Sequence, residues 1–348
     1  MQRREFPKKR AQLLKGIYSK EKGLLPMQRY AIVFFIVLGF LMNLFAEESF
    51  SRKKLEELTQ FLKKHQEDFQ EVKKLDDELF ESRDASQELS ALLNDQEMPS
   101  LLQAYYFLLV SYSPEFWENI TTAEETAQVY LKFLKHRNPI IRLHGLSILR
   151  EIKELLEKPK EWLSADDILK RKKLIGIIEA EYSPPAQDQK LFEEYKKCFV
   201  YLRPILSRQK NINVDVPSLM AVFETADPAV QFYLTFRVSW ITMWSGEEQL
   251  KSILLQLGNK GDNYTKGLVA TSIMDMEQVR QLLKNSTNPD EFITLGEFLN
   301  SRNVIIPLDV WPDRERLQAL FDKASCYTRY QMLKLIKNTI EFSEMDME

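Results

Sequence analysis

The residues NPIIRLHGLSIL, at positions 138–149, form the clearest structural pattern in the chain. A polar turn at Asn138 and Pro139 comes first, and proline is well tolerated in the opening turn of a helix. Apolar residues then recur at helical spacing as far as Leu149, with the small Gly145 among them. The stretch therefore predicts an amphipathic helix that starts directly after a short turn.

Similar turns precede other apolar helical runs on both sides of this stretch. The second helices of the predicted pairs begin near Pro99, Pro139, Pro184, Pro228, Asn263, Pro289 and Tyr327, at spacings between 26 and 45 residues. Periods of this order are typical of stacked two-helix repeats, in which one pair alone cannot bury its apolar face. The chain has only ten glycines and almost no alternating strand-like runs, so the predicted fold class is all-α.

Two further helix starts are indicated by capping patterns. Thr121 with Glu124 matches the Thr-x-x-Glu spacing of a capping box, which satisfies free N–H groups at a helix start. Ser164 precedes Asp166 and Asp167, whose charges suit the positive end of a helix.

Residues 138–142, together with Gly145, resemble the second helix of a HEAT or armadillo-like repeat. Residues 227–230 repeat the start of that pattern, after which Gln231 replaces the arginine and Leu234 the small residue. The resemblance implies a helix-pair (α-α) solenoid-like body that binds proteins along an extended helical surface and carries no chemistry. An irregular helical bundle is the alternative.

An uncharged apolar segment at residues 30–46 bears on the compartment. As a helix it covers roughly 25 Å, a short span for a bilayer core of about 30 Å. Residues 1–29 carry nine basic and two acidic side chains, which would keep an anchored N-terminus in the cytoplasm. If Met27 rather than Met1 is the true start, the same segment resembles a signal peptide cleaved after Ala46. Both alternatives predict export to a periplasmic or extracytoplasmic location, with the body either anchored in the inner membrane or released.

The charge balance excludes one class of partner. The whole chain has a formal net charge of −3, so the part after residue 46 carries −10. Nucleic acid demands a basic face, and an acidic exported body is a poor candidate to bind it. With 44% hydrophobic and 28% charged residues, this body is expected to fold.

Residues 51–93 read as a long polar helix with a narrow apolar seam. The seam runs from Leu55 to Leu79 at heptad-like spacing. It predicts either a stalk docked against the body or a homo-oligomeric contact through residues 55–79.

The predicted organisation has seven parts. They are a basic segment at 1–29, the apolar segment at 30–46, a long helix at 47–93, a first helical half at 94–206, a hinge loop at 207–216, a second helical half at 217–342 and an acidic tail at 343–348.

Catalytic and cofactor motifs are not found in the sequence. The three histidines, His65, His136 and His144, fit no zinc-binding spacing, and no glycine cluster has the spacing of a phosphate loop. We therefore expect no metal, no cofactor and no enzymatic activity.

Aromatic residues are the best candidates for contacting a partner. Tryptophan and tyrosine are favoured at interface hot spots, although in stacked helices most of them fill the core. The candidate partner-binding residues are Tyr105, Tyr106, Trp117, Tyr233, Trp240 and Trp244.

The chain has two cysteines, Cys198 and Cys326. Export to an oxidising space would permit a disulfide between them. The alternative is that Cys198 packs as a small apolar side chain.

Taken together, these patterns predict an exported helical scaffold or adaptor that binds other proteins of the cell envelope. The alternative function is a helical enzyme or accessory subunit that acts on envelope polymers, such as a peptidoglycan-processing helper.

Overall fold

A computed structural model describes residues 51–65, 92–112, 122–161, 163–206, 214–245, 248–302 and 304–345. The predicted basic segment at 1–29, the apolar segment at 30–46 and most of the predicted seam lie outside these residues. None of the helices in the described ranges is both long and apolar enough to cross a membrane.

Helices account for almost all of the described residues, and none of these residues forms a strand, which confirms the predicted all-α class. The helices are α1 (51–64), α2 (Ser100–Ser111), α3 (Ala123–Leu134), α4 (Pro139–Glu157), α5 (Ala165–Glu181), α6 (Ala186–Leu206), α7 (Val216–Glu224), α8 (Pro228–Ser245), α9 (Glu248–Lys260), α10 (Asn263–Ser272), α11 (Met276–Asn285), α12 (Pro289–Asn300), α13 (Arg314–Lys323) and α14 (Cys326–Met345). A short 3₁₀ turn at Leu308–Val310 lies between α12 and α13.

The predicted helix starts agree closely with the structure. Pro139, Pro228, Asn263 and Pro289 are the first residues of α4, α8, α10 and α12, and the other three predictions lie within two residues of a helix start. At α4, Asn138 caps the helix by accepting a hydrogen bond from the N–H of Ile140 at 3.0 Å. Local cap chemistry therefore determines where these helices begin.

One predicted capping box is wrong by one residue. Thr122, not Thr121, caps α3: its hydroxyl accepts from the N–H of Glu125 at 3.2 Å, and the Glu125 carboxylate accepts from the N–H of Thr122 at 3.1 Å. The sequence TTAEE satisfies the Thr-x-x-Glu spacing twice, so spacing alone does not select between the two pairs. The predicted cap at Ser164 is confirmed, with Asp167 completing its capping box.

The chain divides into two compact units, Met1–Glu57 and Leu58–Glu348, and α2 to α14 all belong to the second. Residues 207–213 of the predicted hinge loop lie outside the described residues. Helix α6, before that loop, contacts both α7 and α8, after it.

The helices α4, α8, α10, α12 and α14, which we call the inner helices or inner layer, contact one another in that order. Helices α10, α12 and α14 run parallel, as hydrogen bonds between residues near their N-termini indicate. Asn263, at the start of α10, donates to Glu291 in the first turn of α12, and Thr328, near the start of α14, donates to Asp290 of α12. Helices α3, α9, α11 and α13 each pack against the second helix that follows them.

Two glycines allow close approach between inner helices. An added Cβ at Gly267 of α10 would overlap Cδ2 of Leu295 on α12, and one at Gly296 would lie 2.7 Å from Cδ1 of Leu335 on α14. A larger residue at either position would push adjacent helices apart or force a buried leucine to move.

Helix α2 joins parts of the inner layer that are distant in sequence. It contacts α4 and also α12, where the hydroxyls of Tyr105 and Ser301 lie 2.6 Å apart and Tyr106 donates to the Glu297 carboxylate. Leu102 and Phe107 of α2 are fully buried. None of residues 101–111 of α2 is exposed, so the inner helices enclose α2.

Arg142 closes the turn between α3 and α4. Its Nη1 donates to the carbonyl oxygens of His136 at 2.8 Å and of Arg137 at 2.7 Å, and its Nε donates to Asp188 of α6 at 2.9 Å. The two bonds from Nη1 satisfy carbonyl groups of the turn, which have no helical partners.

The same position closes three other turns. Gln103, Gln231 and Arg329, like Arg142, stand four residues after the residue that caps their helix, and each donates to two carbonyl oxygens of the preceding turn or helix end. We call these four residues the turn-closing donors. Replacement of arginine by Gln231 in the second HEAT-like match therefore keeps the bonds to the carbonyl groups.

Candidate partner-binding groove

Two of the predicted partner-binding residues are core residues. Tyr105 is 2% exposed and Tyr233 is fully buried. The Tyr105 ring packs on Phe298 of α12, with ring centroids 4.6 Å apart, and on Phe236 of α8 at 5.9 Å. These tyrosines hold helices of one chain together and are not available to a partner.

Tyr106 and Trp240 are half-buried and lie beside the core residues just described. Trp240 stacks on Tyr112 at 5.8 Å and on Phe236 at 6.2 Å. Trp117 lies outside the described residues, and so does the side chain of Trp244. Tyr105 and Tyr233 thus lie at contacts between helices, whereas the partner-binding role of the half-buried Tyr106 and Trp240 stays a prediction.

Both cysteines are free in this structure, so the disulfide considered above is not formed. Cys198 is fully buried in α6, where burial raises the pKa of its thiol to about 12, and Cys326 is exposed at the start of α14. Cys198 therefore packs as a small apolar side chain, the alternative considered for it.

A buried polar network joins α4, α6 and α8. Arg237 donates to the hydroxyl of Tyr195 at 2.7 Å and to Glu151 at 2.9 Å, and its guanidinium lies over the Phe199 ring. The Tyr233 hydroxyl lies 2.6 Å from Ser147 Oγ. A buried charge that lacks partners is costly. The bonds of Arg237 therefore favour the docking of α4, α6 and α8 in which all of them can form.

His144 lies in the same network and stays neutral. Burial, with a smaller contribution from the Arg237 charge, lowers its pKa to about 3. Its Nδ1 is 3.2 Å from the Tyr233 hydroxyl, whereas Ser147 bonds to Tyr233 and not to the imidazole. His144, Ser147 and Tyr233 are all buried, so this cluster presents no nucleophile to a substrate.

One open feature of the described surface is a groove between α4, α5 and α6. Helix α5 packs on α3 and α4, and α6 packs on α4, but α5 and α6 do not pack along each other after the turn at Ser183 and Pro184. The groove between them encloses about 550 Å³. This volume is within the range of specific ligand sites, and the groove is partly open to solvent.

The groove has an apolar floor and charged walls. The apolar lining residues are Leu146, Leu149, Ile175, Ile178 and Phe192. Glu179 lies on the α5 wall and Lys196 on the α6 wall, while α4 contributes Arg150, Lys153, Glu154 and Glu157. The charges contributed by α4 sum to zero, so the two walls differ in sign across a neutral floor.

The charged residues of the two walls already form ion pairs, and these pairs are exposed to solvent. Glu179 pairs with Lys153 at 2.5 Å, with 57% and 48% of the two side chains exposed. Lys196 pairs with Glu193 on its own helix at 2.5 Å. Pairs of this kind contribute little to stability, so a bound ligand can replace them at small cost.

Sequence patterns did not indicate this groove. Leu174, Ile175 and Ile178 are the buried residues of α5, and their spacing predicts a helix with a narrow apolar face. The proline pair after Ser183 correctly marked the hairpin between α5 and α6. The opening angle of a hairpin depends on the packing of both helices on α4, which no local pattern encodes.

The described part of the chain contains no group of three or more histidine, cysteine or acidic residues that could hold a metal ion. Comparison of the whole chain with protein-family models, with curated proteins and with solved structures gives no match. The resemblance to HEAT repeats therefore rests on the residues quoted above.

Proposed function

We propose that this protein is a non-enzymatic scaffold or adaptor that binds a helical segment of another protein in the groove between α4, α5 and α6. The observation that carries the proposal is an open groove with an apolar floor between three helices of the body. Docking an amphipathic helix in an apolar groove between helices is a recurrent mode of protein recognition.

The body itself is proposed to be a helix-pair array of the HEAT type. Successive contacts between parallel second helices support it, and so do the turn-closing donors, which recur at one position in four helices. Enclosure of α2 departs from an open solenoid, in which the inner face would bind a partner. In this protein the proposed binding surface is the groove between α4, α5 and α6.

The compartment is proposed from residues 1–46. Their apolar run and basic flank support export, with an anchor or a cleaved signal as alternatives, and the partners are then proteins of the cell envelope. Intact mass and fractionation separate the alternatives: a full-length chain in the membrane fraction indicates an anchor, and a soluble chain that starts at Glu47 indicates cleavage. A full-length soluble chain in the cytoplasm would contradict export.

An enzyme acting on envelope polymers is the weaker alternative. Such an enzyme would be supported by a carboxylate buried in a deep cleft with aromatic walls. Glu297 is buried beside Tyr106 and is only 2% exposed, but it lies at the contact of α2 with α12 and not in the groove. Glu157, which lines the groove, is exposed.

Photo-crosslinking in the cells that produce the protein tests the proposed function. A photoreactive amino acid at Glu157, an exposed groove position, is expected to trap a discrete partner protein. The matched control is Lys190 on α6, which is 80% exposed and does not line the groove. Equal crosslinking at both positions, or none at Glu157, would contradict a binding role for the groove.

A further inference from the structure

We infer that the groove selects a helix with opposite charges on its two flanks: acidic residues on the flank facing α6 and basic residues on the flank facing α5. This inference rests on the proposed function and adds the chemistry of the partner and its orientation.

The charge on the walls is the first argument. Glu179 is the charged lining residue of the α5 wall and Lys196 is that of the α6 wall. A helix in the groove would place one flank beside each wall, so a ligand with a single sign of charge would be repelled on one side. Complementary charges select partners and fix their register.

The floor is the second argument, because its four charges sum to zero and two of them, Arg150 and Glu154, are paired with each other. Glu154 accepts from Nε of Arg150 at 2.7 Å and from Nη2 of Arg203 at 2.9 Å. Arg150 also lies over the Phe199 ring, 5.2 Å from its centroid. Discrimination by charge is therefore left to the two walls.

The third argument concerns the freedom of the wall residues to change partners. Lys196 is 36% exposed and its partner Glu193 is 59% exposed, so the pair is open to water on its outer side. A carboxylate on a bound helix can approach Lys196 without removing a buried charge from its partner. The same holds for Glu179 and its partner Lys153.

Phe192 and Lys196 also show how the α6 wall is extended. They lie one helical turn apart on the same stripe, and the next residue of that stripe, Val200, is 62% exposed. An apolar side chain this exposed, in line with the groove, lengthens the apolar contact available to a bound helix beyond the groove itself.

The test is a selection of displayed peptides on the purified full-length chain. The library holds helix-forming peptides about 14 residues long, roughly four turns, with one apolar stripe and with Glu, Lys or Gln allowed at each flanking position. We expect the recovered peptides to carry acidic residues on one flank and basic residues on the other.

Charge reversal of the protein then assigns each flank to a wall. Lys196→Glu should weaken binding of the recovered peptides about tenfold, which corresponds to about 1.4 kcal/mol. Exchange of the acidic flank of the peptide for lysine should restore that binding. Glu179→Lys should show the mirror behaviour with the basic flank, whereas the control Lys190→Glu, outside the groove on α6, should leave binding unchanged.

The outcomes separate the inference from the function on which it rests. Recovered peptides that lose binding on Phe192→Gln but show no charge bias would keep the groove as a binding site and overturn the inference. If no recovered peptide loses binding on Phe192→Gln, both the inference and the proposed function are overturned. An equal effect of Lys190→Glu and Lys196→Glu would also overturn the inference, since it would show a general response to charge.

Discussion

The close approach of α10 to α12 can be tested by replacing a single hydrogen atom with a methyl group. Gly267→Ala removes the conformational cost of glycine in a helix, which is worth about 0.5–1 kcal/mol of stability. The same methyl group overlaps Cδ2 of Leu295, which is fully buried and has little room to move. Overpacking of this kind costs about 1–3 kcal/mol, so the net effect is expected to be a loss of up to about 2.5 kcal/mol.

Gly176→Ala is the matched control for this substitution. Gly176 is exposed in α5, and a Cβ there would meet no atom within 4 Å. Gly176→Ala should therefore raise stability by about 0.5–1 kcal/mol, because alanine costs less than glycine in a helix and no overlap opposes it. The two variants should therefore shift stability in opposite directions, and their difference of about 1–3 kcal/mol measures the packing between α10 and α12.

The assay is urea unfolding followed by circular dichroism, with thermal unfolding as a second measurement. A change of 1 kcal/mol corresponds to roughly 2–4 °C in a domain of this order of size. The double variant Gly267→Ala with Leu295→Val should recover part of the loss, because the smaller side chain makes room for the methyl group. Stabilisation by Gly267→Ala equal to that by Gly176→Ala would refute close packing at this contact.

Three other predictions concern protonation, thiol access and turn closure. His144 is neutral in the folded protein, with a pKa of about 3, whereas its pKa in the unfolded chain is near 6.5. Between these two pH values the unfolded chain therefore binds more protons than the folded chain. The free energy of unfolding should then fall with decreasing pH by up to about 1.4 kcal/mol per unit, and His144→Phe should flatten this slope in urea titrations at several pH values. A maleimide reagent should modify Cys326 and spare Cys198 in the native protein, and modify both after unfolding; mass spectrometry giving two labels without denaturant would contradict the buried position of Cys198. Gln231→Leu should lower the free energy of unfolding by about 1–3 kcal/mol because two carbonyl groups lose their donor, whereas Gln231→Arg should cost less; equal losses would show that the donated bonds contribute nothing.

The features that were predictable from the sequence depend on neighbours within about four residues. Pro139 and Pro228 mark helix starts because the missing N–H and the fixed backbone angle of proline act at their own positions. The repeated spacing in TTAEE shows the limit of such patterns, since Thr121 and Thr122 satisfy it equally and only the fold selects Thr122.

The aromatic residues show what local patterns do not contain. Tyr105 and Tyr233 were expected either in the core or on a partner surface, and the sequence around them does not distinguish the two. Tyr105 is buried because Phe298 and Ser301, almost two hundred residues further along the chain, lie against it. The groove likewise depends on how α5 and α6 both pack on α4, a relation among three helices.

The enclosure of α2 has a consequence for folding during synthesis. Tyr105 bonds to a residue 196 positions later and Tyr106 to one 191 positions later, so these contacts cannot form until α12 has been translated. At roughly 5–20 residues per second, the delay is about 10–40 seconds, during which the side of α2 that faces α12 has no permanent cover. Helices made in between, such as α3 and α4, can pack early through local contacts, and α2 is enclosed late. The nascent chain is therefore most exposed to aggregation or premature proteolysis between the synthesis of α2 and that of α12, and a chain truncated before Glu297 should remain vulnerable in the same way.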